Sequence, residues 1–211
     1  MQNTIKLILD TEDVLDAFSL KRNVGCALLD EWLDYQTELA EADQKLLERK
    51  RLLLQNEGEY WNEEELKMKF LALLFEVADM TVPDKIKLFY ERPLSAVIDG
   101  YEISVVCDAM LASPKGVGKP KKPYFFLQEF KKQKGKSQDA EGQMLAAMLV
   151  AQLENDNQKP VYGCYLQGKH WTFSTLYNKN YCVSASLDAT NMAHLQKIVF
   201  ALQNLKNLVL R

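Results

Sequence analysis

Long apolar runs are missing from this sequence. No segment approaches the roughly 18 consecutive apolar residues that a membrane helix requires. The start, MQNTIKLILDTEDVLD, has neither a basic n-region nor the long apolar core of a secretory signal. Neither export nor a membrane span is expected, and the expected location is cytoplasmic. Cysteine is sparse: Cys26, Cys107, Cys164 and Cys182 form no CxxC pair, and only His170 and His194 could join them. A disulfide framework and a zinc site are therefore not expected; four small, reduced core residues are. No GxSxG and no nucleophile beside a histidine is present, which disfavours triad chemistry. Gly116 and Gly118 lack the third glycine and the following Lys-Ser/Thr of a phosphate-cradling loop. Internal repeats and a basic helix-turn-helix are also missing.

What is present suits one folded domain with its own core: 211 residues, 47% hydrophobic and 26% charged. The net charge of -3 argues against indiscriminate binding to nucleic acid, but the charges are unevenly placed. Met1 to Leu66 carries sixteen acids and seven bases, a balance of -9, which leaves +6 for the remainder. Between Lys115 and Lys136 eight lysines face one acid, Glu129. A polyanion would meet the protein there.

Leu28, Trp32, Tyr35, Leu39, Ala42, Leu46 and Leu53 step by three and four, the spacing of one long amphipathic helix that stops near Gly58. This divides the chain into a helical region, 1–58, and a main domain, 59–211; the Leu28 to Leu53 stripe is expected to pack on its own domain, with a homodimer seam as the alternative. A second helix starts at Asn62, its N-cap, with Glu63, Glu64 and Glu65 in the first turn, and stops before Pro83. LSAVI, Asp99-Gly100 and YEISVVCD read as a hairpin whose second arm ends on Asp108. ASPKGVGKPKKP, from Ala112 to Pro123, reads as a lysine-rich loop. A strand from Tyr124, a helix over SQDAEGQMLAAMLVAQLEN, strands over PVYGCYLQ, KHWTFSTLY and NYCVSAS, and a closing helix from Asn191 to about Val209 complete the order.

In YFFLQEFKKQKGK, Glu129 and Lys131 stand two residues apart, so a strand of period two points both to one side. Adjacent pairing with the hairpin arm would bring Asp108 to the same edge of the sheet. Two carboxylates and an ammonium are what a hard divalent ion and an attacking water require, since Mg2+ (or Mn2+) takes one or two protein carboxylates beside phosphate oxygens.

Asp108, Glu129-Phe130-Lys131 and the order αβββαβ together resemble the PD-(D/E)XK nuclease superfamily, over roughly Asn62 to Gln167. The resemblance implies an α/β restriction-endonuclease-like core, a mixed sheet flanked by helices, preceded by the long N-terminal helix. It implies Asp108 and Glu129 as metal ligands and Lys131 as the group that positions or deprotonates the attacking water. Many members add a glutamate on the first core helix, for which Glu63 and Glu65 are placed, with Glu76 a third choice. One branch adds a glutamine on the helix after the Glu-X-Lys strand, where Gln143 lies. NEEELKMKF, RPLSAVIDG, FLQEFKKQ and YGCYLQGKHWTF also look like bacterial members related to the N-terminal nuclease domains of type I restriction motor subunits. One departure is Cys107 where many members have proline. The implied activity is hydrolysis of nucleic-acid phosphodiester bonds, with DNA as the expected substrate, acting alone or delivered by a targeting partner protein. The alternative is a non-catalytic module of the same fold, serving dimerisation or the binding of a polyanion or partner.

Overall fold

The computed structural model describes residues 4–131, 139–156 and 159–210. They form a mixed α/β fold on a mixed sheet. In chain order the elements begin with β1 (Ile5–Lys6), α1 (Thr11–Ala17), β2 (Lys21–Val24), α2 (Ala27–Leu33), α3 (Glu41–Glu57), α4 (Glu63–Leu66) and α5 (Ala72–Ala78). There follow β3 (Lys87–Ile98), β4 (Tyr101–Lys115), β5 (Lys119–Lys131) and α6 (Ala140–Glu154). The chain closes with β6 (Val161–Gln167), β7 (His170–Tyr177), β8 (Asn180–Val183), β9 (Leu187–Asp188) and α7 (Met192–Leu210). The sheet runs β1-β4-β5-β6-β7-β8-β2, with β3 also on β4 and β9 also on β7. The β5–β6 pair is parallel and is joined through α6, while β3, β4 and β5 form an antiparallel meander.

Several elements follow directly from local chemistry. Asn62 Oδ1 accepts the Glu65 N–H at 2.8 Å and Glu65 Oε2 accepts the Asn62 N–H at 3.1 Å, a capping box that starts α4. A π turn, Lys67–Leu71, carries the helix into α5, and Asp79, in the left-handed conformation with φ 44°, ends it. The β3–β4 turn needs positive φ at both central residues, and Asp99 (48°) and Gly100 (85°) supply it. Asp139 caps two helices at once: its carboxylate accepts from Gly142 N at the start of α6, and from Thr11 N and Thr11 Oγ1 at the start of α1. Gly142 is needed here, because a Cβ would lie 2.7 Å from the backbone of Leu9 and Thr11.

Four expectations are corrected. The single helix from Leu28 to Leu53 is two helices, α2 and α3, separated by non-helical residues 34–40. The end of α2 is held by a tertiary contact: Asn204 Nδ2 donates to the carbonyls of Glu31 and Trp32, at 3.5 and 3.1 Å. The buried residues, Leu29, Trp32 and Leu33 in α2 and Leu47 and Leu54 in α3, pack into the chain's own core, as two separate stripes rather than one continuous one. Residues 1–58 are not solely helical either, since β1 pairs with β4 and β2 with β8. These edge segments are short and exposed and show no period-two alternation to betray them. The lysine-rich stretch is paired rather than looped: Ser113, Pro114 and Lys115 face Lys121, Pro120 and Lys119, past irregularities at Ala112. Asp108 accordingly lies within β4 and not at its end.

The two faces of the sheet carry separate apolar layers. One packs α2, α3, α5 and α7 on Phe126, Phe130, Leu166, Trp171 and Phe173; the other packs α1 and α6 on Ile103, Val105, Cys107, Leu176 and Tyr181. Leu195, Ile198, Val199, Leu202 and Leu205 are the buried face of α7, at the expected spacing. No helix among the described residues is long and apolar enough to cross a membrane. Trp32 joins the N-terminal segment to the sheet: it is fully buried, meets Phe126, Tyr162 and Phe173 edge-on, and donates from Nε1 to Ala201 O at 2.7 Å. Trp32→Ala should cost about 3–5 kcal/mol of stability. Urea unfolding would show this as an earlier single transition, and an unchanged midpoint would mean that residues 1–58 are not integral to the core.

Candidate functional site

The antiparallel ladder between β4 and β5 runs through Ala109 and Gln128, and next to that couple the pairing gives way to a side chain. Asp108 Oδ2 accepts the backbone N–H of Phe130 at 2.7 Å. Asp108 is thereby fixed against the strand that carries Glu129 and Lys131. On β5, Lys131 Nζ donates to Glu129 Oε1 at 2.6 Å, and both side chains are nearly closed to solvent, 12% and 8% exposed. Across the parallel ladder Glu129 faces Tyr165 and Lys131 faces Gln167. Thus Asp108, Glu129 and Lys131, predicted to share a sheet edge, are brought together.

The first-helix glutamates separate clearly. Glu65 is committed to its helix, taking Lys69 at 2.8 Å as well as the capping bond to Asn62. Glu63, half-buried, acts electrostatically on Glu129. Of the two, Glu63 is the one that adds to the negative field at Glu129. Gln143 is half-buried in the first turn of α6. Beside it on α6, Glu141 accepts from Tyr165 Oη at 2.9 Å and is held by Arg22, whose Nε and Nη2 donate at 2.8 and 3.3 Å. Lys132, Lys134 and Lys136 lie outside the described residues.

Lys67 was not anticipated. Its Nζ donates to Asp108 Oδ1 at 3.0 Å and to Glu91 Oε1 at 2.8 Å, with Glu64 Oε1 at 3.6 Å. Burial works against its charge, but Glu91 and Asp108 outweigh it and hold the ammonium well above its usual range. The i,i+3 spacing from Glu64 was readable, but the distant contacts to Glu91 and Asp108 have no sequence signal. Beside Asp108 a pocket of about 330 Å³ is lined by Lys67, Met68, Leu71, Phe75, Tyr90 and Phe130, among others.

The Glu129 carboxyl registers this crowding of negative charge. Burial first, and then the negative charge of Asp108, push its carboxyl up to about 7, against the pull of Lys131 and with a further push from Glu63. A divalent cation would relieve that repulsion. Among the described residues no group of three or more His, Cys, Asp or Glu is gathered as a ready-made metal cage. Mg2+ does not need one, because one or two carboxylates beside substrate oxygens suffice. Asp108 and Glu129 are the residues whose carboxylates could hold such an ion. In comparisons with known proteins, no family model matches this chain and no curated protein does.

A carboxyl raised in the folded state contributes stability that is complete below its unfolded value and is lost as pH climbs through the folded value. Glu129 should therefore cost the metal-free protein on the order of 1–3 kcal/mol between about pH 5 and about pH 8. Urea unfolding at both pH values should show this loss in the wild type and a smaller one in Glu129→Gln. Parallel pH dependence in the two proteins would contradict it.

Proposed function

We propose that the protein is a Mg2+- or Mn2+-dependent nuclease with a restriction-endonuclease-like core, hydrolysing phosphodiester bonds of nucleic acid, DNA in the first instance. The observation that carries this reading is the meeting of Asp108, Glu129 and Lys131 across two adjacent strands. The run of elements α4–α5, β3, β4, β5, α6, β6 supports it, being the order αβββαβ. Exposed Lys115, Lys119, Lys121 and Lys122 on the β4–β5 hairpin offer a basic surface to phosphates.

A divalent ion held by Asp108 and Glu129 would supply Lewis acidity at the phosphate and make water more acidic. The protein's own groups do the rest. The Phe130 N–H fixes the Asp108 carboxylate, so its orientation does not depend on substrate. Lys131, confined beside Glu129, presents an ammonium that orients the attacking water and offsets negative charge building on the phosphate. Glu129, with its raised carboxyl, ionises near neutrality, so ligation and activity should both increase as pH rises through about 7.

Circular duplex DNA and single-stranded DNA incubated with the protein in Mg2+ or Mn2+ should be cleaved. Glu129→Ala and Lys131→Ala, confirmed as folded by circular dichroism, should lose about a hundredfold or more of that activity. If the parent is as inert as the variants and binds neither metal by calorimetry, the nuclease reading gives way to a non-catalytic module of the same fold.

A further inference from the structure

Asp108 has two oxygens and two donors: Oδ2 is taken by the main chain of Phe130 and Oδ1 by Lys67. A divalent ion approaching Oδ1 would meet the like charge of an ammonium already bound there, 3.0 Å from that oxygen. We infer that Lys67 is a built-in competitor of the metal ion, a resident cation that Asp108 exchanges for the divalent one. The inference rests on the proposed metal-dependent site and adds a residue that governs when that site fills.

The surroundings of Lys67 suit an exchange. Its ammonium is already shared with Glu91 at 2.8 Å, and Glu64 stands at 3.6 Å. Both carboxylates are far more exposed than Asp108, with side chains 78% (Glu64) and 59% (Glu91) accessible against 12%. Moving from Asp108 toward them takes the ammonium outward, where water also solvates it, and leaves no buried cation behind. Two irregular pieces of backbone meet at this point. Lys67 opens the π turn of the helix, and Glu91 is a non-glycine residue at φ 50° within β3. Both are conformations that regular pairing would avoid, and they set the receiving carboxylate within reach of the lysine.

A merely structural lysine would hold Asp108 in place, and its loss would weaken metal binding; a competing lysine has the opposite sign. Mn2+ affinity should be measured by calorimetry in the full chain, for wild type, Lys67→Met, Glu91→Gln and the double variant, each checked for folding by circular dichroism. Lys67→Met should bind Mn2+ about ten- to a hundredfold more tightly, the strength of one charge-assisted hydrogen bond. Glu91→Gln should weaken binding, because Lys67 loses its alternative partner, and this weakening should vanish in the double variant. Loss of a positive charge acting only through space would leave the Glu91→Gln effect unchanged in the double variant, and so overturns the inference. Equal or weaker binding by Lys67→Met, with wild type binding normally, overturns it too and leaves the nuclease reading standing. No Mn2+ binding by any of the four proteins removes the metal-dependent reading and this competition with it.

Discussion

The candidate site depends on one hydrogen bond that β5 gives to a side chain, the Phe130 N–H to Asp108 Oδ2. That bond ties a carboxylate of β4 to the strand holding Glu129 and Lys131, so negative charges from separate strands are confined where water is scarce. Like charges in such a place are not tolerated without compensation. Three responses are visible: Glu129 holds its proton to about pH 7, Lys131 pairs with it at 2.6 Å, and Lys67 pairs with Asp108 at 3.0 Å.

The rest of the fold holds this arrangement rigid. The crossover from β5 through α6 to β6 brings Tyr165 beside Glu129, and Asp139 anchors the start of α6 against α1. On the opposite face, α5 and α7 pack under Phe130, so the strand that supplies the N–H to Asp108 rests on the larger apolar layer. The N-terminal segment is part of that support, through Trp32 and its bond to Ala201.

How far the sequence foretold this depends on the range of the interaction concerned. Short-range chemistry was legible: the Asn62–Glu65 capping box, the Asp99-Gly100 turn, the stripe of α7, and the two-residue spacing that aims Glu129 and Lys131 together. The step from Leu28 to Leu53 misled because a heptad spacing says nothing about Asn204, 172 residues from Trp32, which occupies the carbonyls at the end of α2. Lysine, proline and glycine suggested a loop at Ala112 to Pro123, whereas cross-strand pairing, which no local signal reports, extends β4 and β5 through it. Glu63 and Glu65 were indistinguishable by position, and only the capping bond and Lys69 show that Glu65 is already engaged. Lys67 escaped notice because two of its partners, Glu91 and Asp108, are 24 and 41 residues away.

The most direct measurement is the anomalous diffraction of crystals soaked in Mn2+. A metal peak within coordination distance of both Asp108 and Glu129 is the expected result. A peak only elsewhere, or none at a concentration that saturates the protein in solution, would contradict a divalent-cation site at these two carboxylates.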